Sequence, residues 1–232
     1  MQTETVAVIL AAGLGTRMKS SRPKALHQLA EKPMVEYVLA LAASLDPARV
    51  YIVLGSGREE VEAYVGERAI AVPQEKQLGT GHALRQAMPL IGDGADVVVL
   101  SVDQPLIRPE SLQALREECG RGAAAAFLTA VLPAPAGYGR VLRDPAGEFA
   151  GVVEEKDAAP EQLAIREINA GVYCFAAAPL RAALAALAPQ NAQGEYYLPD
   201  VLGGLRAAGM RVATARAAAE EALGVNDRAQ LA

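Results

Sequence analysis

Leu10-Ala11-Ala12-Gly13-Leu14-Gly15-Thr16-Arg17-Met18, followed by Pro23-Lys24, sets an apolar run from Val6 to Leu10 against a glycine-rich turn and then against cationic side chains. Glycine lets backbone come close to a ligand and aim N–H groups at oxygen, while Arg and Lys offset phosphate charge. The stretch therefore predicts a strand that ends in an anion-binding loop. Its spacing excludes two familiar loops. No Gly-Lys-Ser/Thr follows, as a Walker A loop requires, and Met18 stands where a dinucleotide fingerprint needs its third glycine. What remains is a phosphate loop with Arg17 built in and Lys24 nearby.

Working outward, Val50–Leu54, Ala69–Val72 and Asp96–Val102 read as further apolar strands. Helical patterns cover Pro33–Ala43, with Pro at the first position, Glu59–Val65, Gly81–Ala87 and Pro109–Glu118. Strands this apolar are covered on both faces, which predicts an α/β, Rossmann-like fold with a mostly parallel sheet sandwiched by helices. After Pro133-Ala134-Pro135-Ala136-Gly137 the pattern changes. Val141–Arg143 and Phe149–Val153 flank an Asp144-Pro145-Ala146-Gly147 turn and predict a hairpin. Asn169–Phe175 reads as a strand, Pro179–Ala188 and Leu198–Ala208 as helices, and Arg211–Ala215 as a last strand. The expected organisation is one domain over 1–232 with a β-rich lobe at about 133–178 inside it. No hexapeptide or solenoid repeat is visible.

Composition narrows the function. The 232 residues are 52% hydrophobic and 4% aromatic, with a net charge of -5 and no block of basic residues. Nucleic-acid or membrane-surface binding calls for clustered cations, so neither is expected. No segment has the length and apolarity of a membrane span, and the start Met1-Gln2-Thr3-Glu4 does not read as a signal peptide. Cys119 and Cys174 are too few for a disulfide framework or zinc site and read as buried thiols. The expectation is a cytoplasmic protein.

In open α/β sheets, ligands sit beyond the carboxyl ends of the strands. The glycine loop, Pro73-Gln74 with Leu78-Gly79-Thr80-Gly81-His82, and Asp103 all fall at such ends. Asp103 is the strongest metal candidate, since magnesium takes oxygen ligands and one carboxylate can suffice beside substrate phosphates; capping of the next loop is its other reading. Gln74 suits the edge of a nucleobase, or a polar surface. His82 reads as structural, because transfer between phosphates needs no proton abstraction. Gly139 in Gly137-Tyr138-Gly139-Arg140, together with Glu154 and Asn169, suits sugar hydroxyls and an N-acetyl group; ordinary loop polarity is the alternative.

These strings resemble a known family. The Leu10–Met18 loop with Pro23-Lys24 is similar to the signature of sugar-1-phosphate nucleotidyltransferases. Gln77-Leu78-Gly79-Thr80-Gly81-His82-Ala83, Gly137-Tyr138-Gly139-Arg140, Val153–Ala158, Glu167–Gly171, Asn191–Leu198 and Gly224-Val225-Asn226-Asp227-Arg228 narrow the resemblance. Together they resemble, over essentially the whole chain, the uridylyltransferase half of the bifunctional N-acetylglucosamine-1-phosphate uridylyltransferase and glucosamine-1-phosphate acetyltransferase family. The resemblance implies magnesium-dependent uridylyl transfer from UTP to N-acetylglucosamine-1-phosphate in cell-envelope precursor synthesis. It implies that Leu10, Ala11, Ala12, Gly13, Gln74, Gly79 and Thr80 hold the uridine part of UTP. Arg17 and Lys24 are then the candidate catalytic residues on the phosphates, and Asp103 and Asn226 hold Mg2+. Gly139, Glu154 and Asn169 bind the N-acetylglucosamine moiety.

Three departures from the family pattern stand out. Ser101-Val102 precede the carboxylate where the family has Tyr-Gly, Ala170 replaces a threonine, and Leu14 stands where lysine is common. The first two are expected to relax sugar choice and the third to raise the KM for UTP. No hexapeptide repeat follows Ala232, so acetyl transfer and a trimer built on a β-helix are expected to be absent and the chain monomeric. The rival readings are a nucleotidyltransferase for another sugar phosphate or nucleotide, and a non-catalytic nucleotide-sugar sensor.

Overall fold

The first strand, β1 (Thr5–Ala11), is buried almost end to end because its side chains serve two cores at once. Val6, Val8 and Leu10 face one side of the sheet, while Ala7 and Ile9 face the other. Alternation without a polar face is what a strand covered on both sides requires. The computed structural model describes residues 3–13, 15–55 and 57–231; Leu14, expected above to bear on UTP, lies outside the described residues.

A small hairpin, β2 (Gln28–Leu29) and β3 (Lys32–Pro33), leads into α1 (Met34–Ala43). Then come β4 (Arg49–Leu54), α2 (Arg58–Val65), β5 (Ile70–Pro73), α3 (Thr80–Ala87), β6 (Asp96–Ser101), α4 (Pro109–Gly120) and β7 (Ala125–Val131). The remainder comprises β8 (Arg140–Arg143), β9 (Phe149–Val153), α5 (Pro160–Leu163), β10 (Glu167–Ala176), α6 (Ala177–Ala186), α7 (Pro199–Ala207), β11 (Val212–Arg216) and α8 (Arg228–Leu231). The main sheet runs β11-β7-β10-β6-β1-β4-β5. Its neighbours pair in parallel except on the two sides of β10, which is antiparallel to both β6 and β7. Helices α1, α2 and α4 pack on one face and α3, α6 and α7 on the other. The α/β architecture expected from the apolar strands is the one observed.

Two local differences have physical causes. Pro33 ends β3 and precedes α1 instead of opening it, because its ψ of 142° is extended and not helical. The strand β7 carries little strand signal of its own, since it opens on alanines without β-branching. Ala125 and Ala126 are nevertheless fully buried, and that burial holds the run in the sheet. β10 belongs to the main sheet, and of the β-rich segment only β8 and β9 stand off the main path, attached through β8 to β10. Among the described residues no helix is long and apolar enough to cross a membrane.

Candidate active site

The carboxyl ends of β1, β5 and β6 open into one cleft with two compartments. A larger one of about 420 Å3 is lined by Leu10 from the end of β1, by Ala12 and Gly13 from the loop after it, by Arg17 and Lys24, and by Gln74, Gly79, Thr80, Asp103 and Asn226. A smaller one of about 200 Å3 is lined by Gly139, Glu154 and Asn169, with Gln104, Tyr138 and Tyr173. Leu10, Thr80, Ser101 and Asp103 line both, so these residues form the shared wall. Of the residues that the sequence assigns to the site, only Ala11 lines neither compartment. Its side chain packs on the opposite face of the sheet, as strand alternation dictates for the neighbour of Leu10 and Ala12.

Polar contacts at the wall bring together the predicted cationic and metal-binding residues. The Lys24 Nζ donates to Asp103 Oδ2 at 2.8 Å and reaches Asn226 Oδ1 at 3.3 Å, while Arg17 Nη2 donates to that same Asn226 oxygen at 3.0 Å. On the other side, Ser101 Oγ donates to Asp103 Oδ1 at 2.6 Å. Ser101 is a site residue that sequence reasoning did not place, although its departure from the family pattern was the available signal. A second departure, Ala170, puts no side-chain atom into the site; its carbonyl accepts from Gln104 of the smaller compartment. Its methyl group is fully buried in the core, and it does not line the smaller compartment. A hydroxyl lost at that position is therefore not lost from the cleft, contrary to the expectation that it would relax sugar choice.

Asn226 reaches the wall because the chain folds back after β11. The Val225 N–H donates to the Asp103 carbonyl at 2.8 Å, and the Gly224 N–H donates to the Tyr138 hydroxyl at 3.1 Å. Farther back, the Glu221 carboxylate, only 4% exposed, accepts from the Arg108 N–H, the Ser111 hydroxyl and the Ala218 N–H. The first two donors sit at the start of α4, where unpaired N–H groups and the helix dipole favour an anion. This carboxylate anchors the tail that carries Asn226.

Metal fit follows from the charges on the wall. Asp103 is a carboxylate facing a cavity that also holds Arg17 and Lys24. A carboxylate is electrostatically unsuited to a phosphate unless a cation stands between them. Asp103 and Asn226 both offer oxygen, the donor that magnesium takes, and two protein ligands suffice when water and phosphate complete the shell. Among the described residues there is no group of three or more His, Cys, Asp or Glu able to hold a metal, which disfavours an all-protein cage.

The wall around Gly79 is held by backbone. The α3 start is laced to the 196–198 segment: Tyr196 N–H to Leu78 carbonyl at 2.8 Å, Gly81 N–H to Tyr196 carbonyl at 2.8 Å, and Leu198 N–H to Thr80 Oγ1 at 3.0 Å. Gly79 sits in that seam with φ +103°, a conformation that side chains oppose. Gln74 is 4% exposed and lines the larger compartment.

In the smaller compartment, the Asn169 N–H donates to the Gly139 carbonyl at 2.9 Å, and Asn169 Nδ2 donates to the Tyr173 hydroxyl at 2.7 Å. A methyl group on Gly139 would meet Glu154 Oε1 at 2.9 Å and Val152 Cγ1 at 3.0 Å, so a side chain there would have to push Glu154 aside. The polar-loop reading of Gly137–Arg140 needs one correction. Arg140 is buried and pairs with Glu155 at 3.1 Å, bracing the loop from within. Burial, followed by the nearby Asp200 and Asp157 charges, raises the Glu154 pKa. The ionised form is thus disfavoured in the fold. Stability is highest below the unfolded carboxylate pKa and falls as pH rises toward the folded one. Glu154→Gln is therefore expected to raise the thermal midpoint at pH 7.5 by about 1–3 °C and to lose that gain at pH 4, measured by calorimetry. An unchanged or lowered midpoint at pH 7.5 would refute it.

Comparison with known proteins agrees with this geometry. Residues 7–200 match the MobA-like NTP transferase domain family. The bifunctional protein GlmU of Desulfitobacterium hafniense is 51% identical over 228 residues, which is 97% of this chain and 50% of that protein. GlmU of Heliobacterium modesticaldum is 49% identical over 229 residues, and GlmU of Thermus thermophilus is 51% identical over 227, with the same coverage of 97% and 50%. The chain spans about half the length of the curated relatives it matches. With the family match reaching from β1 into α7 and a two-compartment cleft at the strand ends, the chain belongs to the MobA-like NTP transferase domain family.

Proposed function

We propose that this chain transfers the uridylyl group of UTP to N-acetylglucosamine-1-phosphate, forming UDP-N-acetylglucosamine and pyrophosphate. The observation that carries the reading is the shared wall. A compartment with cations and a glycine loop meets a compartment of sugar-type partners, and Asp103 stands where they join. An oxygen of the sugar phosphate forms a bond to the α-phosphorus of UTP, and the bond from that phosphorus to the pyrophosphate oxygen breaks. The attacking phosphate is already an anion, so no base is needed, and the protein's work is positioning and charge neutralisation. Leu10, Ala11, Ala12, Gly13, Gln74, Gly79 and Thr80 hold the uridine part, Ala11 through its backbone. Arg17 steadies the departing pyrophosphate and Lys24 the reacting phosphates. Gly139, Glu154 and Asn169 hold the N-acetylglucosamine moiety. Asp103 and Asn226 would hold Mg2+, which when bound supplies charge neutralisation at phosphate oxygens.

The test is pyrophosphate release from UTP and N-acetylglucosamine-1-phosphate with magnesium, beside dTTP, CTP and glucose-1-phosphate as competing substrates. Release is expected to be fastest with the proposed pair and to fall by at least ~10²-fold when the divalent cation is chelated. Faster turnover of dTTP with glucose-1-phosphate would refute the substrate assignment. UDP-sugar binding without turnover in either direction would refute the enzymatic one.

A further inference from the structure

His82 lies on α3 behind the larger compartment and touches Gln74, a lining side chain whose orientation decides what it can read. Gln74 Nε2 is 3.3 Å from the Gly79 carbonyl and 2.8 Å from His82 Nδ1. A carbonyl only accepts, so the Gly79 contact places the amide nitrogen, and not the oxygen, on that side. The same nitrogen then donates to His82 Nδ1, which must carry a lone pair. On the far edge of the ring, His82 Nε2 faces the Gln86 amide nitrogen at 3.3 Å, and that nitrogen donates to the His82 carbonyl at 3.0 Å. With Nδ1 accepting, the neutral ring carries its proton on Nε2, where the Gln86 amide nitrogen is a neighbour and not a hydrogen-bond partner; a second ring proton, on Nδ1, would face the Gln74 N–H. Burial, followed by the charge of Arg85, also holds the His82 pKa below its ordinary value.

The consequence falls on the opposite end of the Gln74 amide. With both of its N–H groups engaged behind the wall, the side chain cannot turn over, and among the described residues its Oε1 accepts no hydrogen bond. An acceptor fixed in this way suits a pyrimidine that carries a ring N–H, as uracil does, and meets the ring lone pair of cytosine unfavourably. We propose that His82 is a positioning residue: by accepting from Gln74 Nε2 it locks the amide oxygen toward the nucleobase and so sets preference for uracil-bearing over cytosine-bearing nucleotides. The inference rests on the reading of Gln74 as the base contact made above.

The experiment compares the unmodified protein with His82→Ala and His82→Asn, using UTP and CTP in turnover and UDP and CDP in calorimetric binding. The unmodified protein is expected to prefer the uridine nucleotides. In His82→Ala the freed amide can present either end, and the uridine-to-cytidine ratio is expected to fall about tenfold, the worth of one neutral hydrogen bond. His82→Asn can return an acceptor toward Gln74 and is expected to restore most of the preference. An equal loss for both bases in His82→Ala, with the ratio unchanged, would mean a structural role only and would overturn the inference. Should neither variant fold, nitrogen NMR of the unmodified protein at pH 7.5 decides: a proton on Nε2 supports the lock and a proton on Nδ1 overturns it. An unmodified protein with no preference between UDP and CDP would instead overturn the base-site reading itself, and the inference with it.

Discussion

Replacing Asp103 with alanine is expected to lower uridylyl transfer by on the order of 10²–10³-fold, the usual loss when one charge-stabilising contact is removed from a phosphoryl-type site. The side chain is the junction of the wall, accepting from Lys24 at 2.8 Å and from Ser101 at 2.6 Å. Its loss removes the only carboxylate proposed for the metal and leaves Lys24 free to follow Asn226 alone. The fold should change little. The Val225 contact is to the Asp103 backbone carbonyl, so the tail keeps its anchor when the side chain is cut. Asp103→Asn keeps the shape and can still accept from Ser101, so it separates geometry from charge. Steady-state pyrophosphate release, with Mn2+ binding followed by electron paramagnetic resonance, checks both effects. Turnover within tenfold of the unmodified protein, or unchanged Mn2+ affinity, would refute the role of Asp103.

Gly79→Ala is expected to be the most damaging single-methyl change in its part of the cleft wall. At φ +103° an alanine already carries strain on the order of 1–3 kcal/mol. Its methyl group would also stand 2.7 Å from the Tyr196 carbonyl oxygen and 2.9 Å from the Tyr196 nitrogen. Both atoms are backbone, so no side chain can swing aside. The seam must part, and with it the two 2.8 Å hydrogen bonds that join residues 78 and 81 to Tyr196. Together these effects predict a fall in thermal midpoint of about 5 °C or more and a rise of at least ~10-fold in the KM for UTP. Calorimetry and initial-rate kinetics check the pair. A midpoint within about 1 °C of the unmodified protein would mean, on the scale of about 2–4 °C per kcal/mol, that the strain is absent.

How much of this was legible in the sequence depends on the range of the signal. Val6–Leu10 announced a doubly covered strand because its side chains alternate between two cores with no polar break, and the glycine loop followed directly. Pairing between neighbours in sequence was similarly readable in the β8–β9 hairpin around Asp144–Gly147, where turn chemistry is local. Ala125–Val131 was not readable as β7, because an alanine-rich run is drawn into a sheet by burial and not by its own preference. Asn226 drew attention only through family resemblance. Nothing in the sequence around it points to Asp103, and the Glu221 anchor that delivers it is visible only in three dimensions. Ala170 shows the opposite failure: a substitution beside a site residue can still point away from the site, since neighbouring strand residues face opposite sides.

The fold-back of the tail has a consequence for the chain during synthesis. Arg17 and Asn226 meet at 3.0 Å although 209 positions separate them in sequence. The glycine loop leaves the ribosome well ahead of its partner. A nascent chain can hold a nearly finished sheet and still lack Asn226, the second oxygen proposed for the metal. On the proposed function, competence would therefore wait for the Asn226 segment to dock beside Arg17, however early the sheet assembles.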